Sequence, residues 1–220
     1  GTEMKKVIWP GSTQLAPVPA VLVGCGGPGA YNLITIAWAG TVCSKPPMLS
    51  ISVRPERHSY GLIRESGEFT VNLPTVGQVK ETDYCGVVSG ADHDKFKETG
   101  FTPLAGSQVA APLVAECPLG LECRVKQTLE LGSHTMFIAE IVAVQVSEEF
   151  INAEGRVELE RAGLAAYVHG HYFELGGAIG HFGYSVCRKP GPVVRKSQSA
   201  TARLIPPMLF AEYVAGAAGG

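Results

Sequence analysis

A short segment, residues 52–66 (SVRPERHSYGLIRES), concentrates groups that bind anions. Its polar side chains are guanidinium, imidazole and hydroxyl groups, contributed by Ser52, Arg54, Arg57, His58 and Ser59. Guanidinium groups and the free N–H groups at a helix N-terminus are common phosphate ligands. The segment therefore predicts a phosphate site where a strand turns into a helix. The alternative is a solvated basic turn, because Arg and His are commonly exposed.

The preceding segment, residues 32–41 (NLITIAWAGT), mixes polar residues and one tryptophan with small residues. The polar and aromatic positions are Asn32, Thr35, Trp38 and Thr41, and the small ones are Ala37, Ala39 and Gly40. Small residues let a flat ring approach the backbone, and a tryptophan offers a stacking face. The segment predicts a border for an aromatic ligand, although a single tryptophan is also common in a protein core.

Most of the chain that surrounds these residues has the sequence pattern of β-strands. Runs at 18–25 and 33–44 predict two strands, and 48–54 alternates with Leu49, Ile51 and Val53 on one side. The segment FTVNLP predicts another strand, and two long β-rich runs flank a hairpin turn at Gly132-Ser133. Many short strands must pair at their edges or close. We expect a mainly β (α+β) fold, a closed or partly closed barrel.

A few helices complete the expected fold. One follows Pro55, with Ser59 as its capping first residue and Gly67 at its end, and residues 76–89 predict a second. The segment DKFKET predicts a short third helix that ends at Gly100. Residues 156–168 fit a helix or a strand, and the glycine-rich, aromatic segment from 169 to 186 is typical of a loop that approaches a ligand.

Composition limits the possible functions. The net charge of −2 and the pI near 6.3 argue against general affinity for nucleic acid or anionic membranes. The six cysteines form no CxxC pair and are expected to be buried, reduced thiols. No apolar run approaches the roughly 18 residues of a membrane helix. We expect a cytoplasmic protein with one domain over 1–190 and a C-terminal tail over 191–220.

Several motifs in order resemble the flavin reductase-like FMN-binding proteins, most closely the flavoredoxin branch. They are NLITIAWAG, KPPMLSISVRPERHS, EFTVNLP, DYCGVVSGADHDKF, ECPLGLEC, GSHTMFIAEIV and YFELGGAIGHFGYSV. The resemblance covers roughly residues 15–188. It implies a split β-barrel of Greek-key type, assembled as a homodimer with FMN at the subunit interface.

The resemblance also implies residue roles. The first motif would border the isoalloxazine ring and ribityl chain through Asn32, Thr35, Ala37, Trp38, Ala39, Gly40 and Thr41. The second would hold ribityl hydroxyls and phosphate through Ser52, Val53, Arg54, Arg57, His58 and Ser59. The anion of the basic turn would then be the FMN phosphate.

Four histidines besides His58 are candidates for catalysis or metal binding. His134 lies where related flavin reductases carry Gly-Asp-His, a motif whose histidine is near the flavin and the nicotinamide, but this chain has Gly-Ser-His. His134 is therefore a possible catalytic residue, and the alternative is a surface hairpin histidine. His169, His171 and His181 lack an accompanying carboxylate or cysteine set, so we expect no metal site.

The hypothesis is an FMN-dependent electron-transfer protein or oxidoreductase of flavoredoxin type. Its alternative is an NAD(P)H:flavin oxidoreductase that supplies reduced flavin to a partner enzyme. A nucleic-acid-binding barrel would need a basic groove, which this slightly acidic chain does not predict. A purely structural protein would leave the basic turn beside the tryptophan strand unexplained.

Overall fold

A computed structural model describes residues 3–187 of the chain. The predicted tail over 191–220, and the domain boundary at 190, lie outside the described residues.

The described chain contains eleven strands and three α-helices. In chain order they are β1 (Val21–Cys25), β2 (Asn32–Ile36), β3 (Ala39–Ser44), β4 (Pro47–Val53), α1 (His58–Ser66), β5 (Glu68–Leu73), α2 (Val79–Val87), α3 (Lys95–Thr99), β6 (Pro103–Leu104), β7 (Leu113–Val114), β8 (Leu119–Glu130), β9 (Thr135–Val146), β10 (Ala165–Val168) and β11 (His171–Glu174). Short 3-10 helices cover Val76–Gln78, Glu148–Phe150, Leu159–Arg161 and Tyr184–Val186.

Seven strands form one antiparallel sheet in the order β2-β1-β5-β8-β9-β4-β3. Its two edge strands, β2 and β3, are consecutive in the chain and are joined only by Ala37 and Trp38. So short a connection requires the sheet to curl until its edges nearly meet. The non-consecutive neighbours β1–β5, β5–β8 and β9–β4 provide the expected crossovers. The predicted mainly β split barrel is confirmed.

The barrel interior is filled by the inward faces of these strands. On β4 the alternation is as predicted, because Leu49, Ile51 and Val53 are buried. They belong to one core cluster with Phe69 and Phe137, which are also buried. A second cluster, defined by Leu22, Leu33, Cys85, Phe96, Phe101, Val114 and Cys117, packs helices α2 and α3 against the other face of β1 and β2. Burial of both faces explains why β1 and β2 are apolar without strict alternation.

The prediction of a single strand over 33–44 was wrong. The segment breaks at Ala37 and Trp38 and contributes the two opposite edges of the sheet. The first strand also begins later than predicted, at Val21, and the helix predicted over 76–89 is a 3-10 turn followed by α2.

Helix α1 ends at Gly67 in the left-handed conformation (φ +67°), as predicted, but it begins at His58. Its N-cap is Arg57, so the prediction that Ser59 is the capping first residue was wrong. Helix α3 ends at Gly100 (φ +77°), as predicted. The undecided segment 156–168 contains a 3-10 turn and β10, and the segment predicted as a loop from 169 contributes β11.

Candidate functional site

A cavity of about 460 Å³ opens beside the split of the barrel. Strand β2 with its connection to β3, the C-terminal end of β4, the tip of the β8–β9 hairpin, helix α2, the N-terminal segment and the β10–β11 hairpin all contribute to its wall. The lining residues are Thr13, Leu15, Val18, Ile34, Thr35, Ile36, Ala37, Trp38, Ser52, Val53, Arg54, Arg57, Gly86, His134, Tyr167, His169 and Gly170. The backbone N–H of Ser52 donates to the Trp38 carbonyl (3.0 Å), which fixes the β2–β3 connection against β4.

Two arginines give the cavity its positive charge. Arg54 directly follows β4 and is exposed, whereas Arg57 is half-buried and its Nη2 donates to the Val88 carbonyl at the end of α2 (3.2 Å). No Asp or Glu of the described chain lines this cavity. The guanidinium groups are therefore not neutralised within the cavity wall and can receive an anion.

Trp38 and His134 form an aromatic pair at the cavity, with ring centroids 4.6 Å apart and an interplanar angle of 37°. The pairing of Val53 with Thr135 brings His134 beside Arg54. Partial burial, and secondarily the positive charge of Arg54, lower the pKa of His134 below its ordinary value of 6.5. The imidazole is thus neutral at pH 7 and can stack or hydrogen-bond without adding charge.

A buried hydrogen bond braces the site from behind. The Asn32 side-chain amide donates to the Ser59 hydroxyl (2.8 Å), and both residues are buried. The bond ties the start of β2 to the first turn of α1, so it fixes the basic turn relative to the tryptophan strand. Ser59 does not cap the helix because α1 begins one residue before it, at His58.

Helix α2 lies against β2 because glycine occupies the contact. A Cβ at Gly86 would lie 3.2 Å from the Thr35 Cβ. The Thr35 hydroxyl donates to the Thr82 carbonyl of α2. These contacts allow Thr35 and Gly86 to face the same cavity.

The predicted site residues separate into three groups. Those that line the cavity are Thr35, Ala37, Trp38, Ser52, Val53, Arg54, Arg57 and His134. Those buried behind it are Asn32 and Ser59. Those absent from its lining are Ala39, Gly40, Thr41 and His58, of which Gly40, Thr41 and His58 are exposed.

Sequence reasoning missed part of the wall. The missed residues are Thr13, Leu15, Val18, Ile34, Ile36, Gly86 and Tyr167, together with His169 and Gly170 as direct lining residues. The glycines and aromatics after residue 168 were a signal for the hairpin. The N-terminal segment carries no motif that could have placed it here.

A smaller apolar cavity of about 320 Å³ adjoins the first. It is lined by Thr13, Leu15, Val18, Ala37, Trp38 and Ala39. Trp38 is 45% exposed and Leu15 is 87% exposed, so apolar surface continues from the cavity to the outside.

Within residues 3–187, no group of three or more His, Cys, Asp or Glu residues is arranged to hold a metal ion. No helix in this range has both the length and the hydropathy needed to cross a membrane.

The fold and the cavity define a class, the split-barrel proteins, and here two arginines and an aromatic pair line the cavity. The chain belongs to the family described as the flavin reductase like domain, whose model matches residues 13–176. That match includes every residue that lines the larger cavity.

Solved structures and curated relatives agree with this membership. The flavoredoxins of Desulfovibrio vulgaris (Miyazaki F) and Methanosarcina acetivorans are each 32% identical, with TM-scores of 0.77 and 0.76, over 84% of this chain and 100% of theirs. The FMN reductase (NADH) RutF of Pseudomonas syringae is 26% identical over 56% of this chain and 67% of its own. Matches to relatives from Aeropyrum pernix and Pyrococcus abyssi span 52% and 80% of those proteins.

Proposed function

We propose that this protein is an FMN-binding oxidoreductase of the flavoredoxin type. The observation that carries the proposal is the cavity that joins two unneutralised arginines to the Trp38–His134 pair. Family membership and the two flavoredoxin relatives support it.

The donor set fits FMN chemically. A phosphate needs charge-assisted donors, which Arg54 and Arg57 supply, and a tricyclic ring needs flat apolar contact, which Trp38 supplies. The cavity volume of about 460 Å³ lies in the ordinary range for a cofactor site. Among the residues that the resemblance implies, we assign direct contacts to those that line the cavity and a bracing role to Asn32 and Ser59.

The flavin, when bound, supplies the redox chemistry, and the protein binds and orients it. Arg54 and Arg57 would hold the anionic end of FMN, and Trp38 with His134 would limit the position of its ring. His134 is neutral at pH 7 because its pKa is lowered, so it can donate or accept one hydrogen bond at the ring edge without changing the net charge. In this proposal no side chain forms a covalent bond with the substrate.

The electron donor distinguishes two versions of this function. A nicotinamide nucleotide is favoured by the relative named FMN reductase (NADH), and by a relative from Rhodococcus opacus named as the reductase component of a 4-nitrophenol monooxygenase, 30% identical over 50% of this chain. The Ser133 that replaces the motif aspartate favours the other version, in which a redox protein is the partner. We propose the flavoredoxin version and treat an NAD(P)H:flavin oxidoreductase as the second candidate.

Assembly as a homodimer is part of the proposal. The apolar surface at Leu15 and Trp38 beside the smaller cavity supports a second copy of the chain as its cover.

The test of the cofactor is spectroscopic. Purified protein titrated with FMN should show the absorption bands of bound oxidised flavin, and heat should release FMN. A protein that stays colourless and binds no added FMN contradicts the proposal. Anaerobic addition of NADH or NADPH then separates the two versions, because rapid bleaching supports the reductase and no bleaching supports a protein electron donor.

A further inference from the structure

The turn between β10 and β11 has an unusual residue at a strained position. His169 and Gly170 connect the paired residues Val168 and His171, and both turn residues have positive φ, +43° and +84°. Two-residue hairpins of this kind favour Asn-Gly, because the Cβ of an L-residue lies close to the following carbonyl oxygen in the left-handed region, a cost that asparagine and histidine tolerate better than most residues. Within residues 3–187, His169 is the only residue other than glycine with positive φ.

The hairpin is held firmly at several points. Val18 and Tyr167 exchange two backbone hydrogen bonds, of 3.0 and 2.8 Å. The Tyr172 hydroxyl donates to Asp83 Oδ1 on α2 (3.0 Å), and the ring centroids of Tyr167 and Tyr172 lie 5.2 Å apart. These contacts anchor the turn on both sides, next to the cavity.

His169 itself lies in the cavity wall and is exposed. Its carbonyl accepts from His171 Nδ1 (3.2 Å), whereas its own ring makes no hydrogen bond to the described residues. The turn alone accepts Asn or Gly at this position, and the His169 ring contributes no hydrogen bond to the described fold, so the imidazole is free to bind a ligand in the cavity.

We propose that His169 is a nucleotide-binding residue, whose ring N–H donates to an acceptor oxygen of the nucleotide held in the cavity. The inference rests on the proposed function and deepens it. The oxygen belongs to FMN or to a nicotinamide dinucleotide, both of which present phosphate and carbonyl acceptors. The cost of a strained histidine is explained if the imidazole contributes to binding.

The test is the variant His169→Gly, which removes the imidazole and relieves the backbone. We expect the melting temperature to be unchanged or raised by roughly 2–4 °C, because glycine adopts positive φ without a Cβ clash. We expect nucleotide binding to weaken by roughly two- to tenfold, the effect of one hydrogen bond. Increased or equal stability with reduced affinity is a combination that a purely structural role does not produce.

Two variants serve as controls. His169→Asn keeps a side-chain donor and tolerates the left-handed conformation, so it should recover part of the lost affinity. His93→Ala removes an imidazole that pairs with Glu98 and does not line the cavity, so its loss should leave affinity unchanged.

Two measurements distinguish FMN from a nicotinamide nucleotide as the ligand of His169. They also distinguish failure of the His169 proposal from failure of the proposed function. The Kd for FMN is measured by titration of the apoprotein, and the KM for NADH or NADPH by steady-state reduction. A change in the first assigns the oxygen to FMN, and a change in the second alone assigns it to the nicotinamide nucleotide. Unchanged values for both in His169→Gly overturn the assignment of His169 while the proposed function stands. Failure of the wild-type chain to bind FMN overturns the proposed function, and the His169 inference with it.

Discussion

At the scale of single residues, the chemistry of the cavity depends on two arginines, Arg54 and Arg57, whose charges no Asp or Glu of the cavity wall neutralises. Arg54 is exposed at the end of β4, and Arg57 is fixed by its bond to the Val88 carbonyl. Both belong to a turn that the Asn32–Ser59 bond braces. A phosphate that enters meets the Arg57 guanidinium in a position that is set before binding, which reduces the ordering cost.

Replacing Arg54 with Ala should weaken FMN binding by about 1.5–3 kcal/mol, because one charge-assisted hydrogen bond is lost. Fluorescence titration of the apoprotein with FMN measures the change. Arg64→Ala is the matched control, since Arg64 is an exposed arginine of α1 that pairs with Glu130 and Tyr60 away from the cavity. Equal affinity of the Arg54 and Arg64 variants would place the phosphate elsewhere.

The Trp38–His134 pair predicts a pH-dependent signal. Because the pKa of His134 is lowered, the folded chain resists protonation of this ring below pH 6.5 while the unfolded chain accepts the proton. Protonation of His134 in the unfolded chain therefore lowers the free energy of unfolding as the pH falls below 6.5. The emission of Trp38 in a Trp9→Phe apoprotein should change with a midpoint below 6.5 as the stacked ring becomes charged. His134→Phe should abolish that titration, and its persistence would show that another group causes it.

At the scale of elements, the site exists because strands and helices approach closely where small residues permit it. Gly86 allows α2 to lie against Thr35, and Gly24 allows β1 to lie against the segment before β7. A Cβ at Gly24 would lie 1.9 Å from the Pro112 carbonyl oxygen, a backbone atom that cannot turn away.

Gly24→Ala should therefore destabilise the protein by about 1–3 kcal/mol or prevent folding, since an added methyl group in a filled space forces backbone shifts. Urea denaturation followed by circular dichroism measures the free energy of unfolding. Gly27→Ala is the control, because nothing lies within 4 Å of a Cβ placed there. A Gly24 variant as stable as the Gly27 variant would mean that the segment at Pro112 moves freely.

At the scale of the whole molecule, the curled sheet leaves one side of the cavity region apolar and open. Leu15 lines both cavities and remains largely exposed, and Trp38 forms part of the wall that the two cavities share. Apolar surface beside a functional site is the usual mark of an interface.

We expect the protein to elute as a dimer, with twice the 23.2 kDa mass of the chain by light scattering. Leu15→Glu should shift the population toward monomer, because a charge would be buried at the contact. Val87→Glu, at an exposed valine of α2 outside the smaller cavity, is the control. A monomeric wild-type chain would exclude the second copy as the cover of this surface.

Local sequence patterns were enough to predict the strand-dominated fold class, the alternation of β4, the helix ends at Gly67 and Gly100, and the hairpin at Gly132-Ser133. These features depend on local periodicity and on backbone conformations that few residues adopt, so adjacent residues are enough to reveal them. The same local reasoning placed Arg54 and Trp38 on segments that do line the cavity.

Which residues share the cavity depends on contacts between segments that are distant in the chain. The split of residues 33–44 into opposite sheet edges depends on pairing with β1 and β4, and the role of Ser59 depends on Asn32. His169 and Tyr167 reach the wall because Tyr167 pairs with Val18, far away in the chain. Such contacts are set by hydrogen bonds and packing between distant segments, and a local pattern does not record which distant partner a segment will meet.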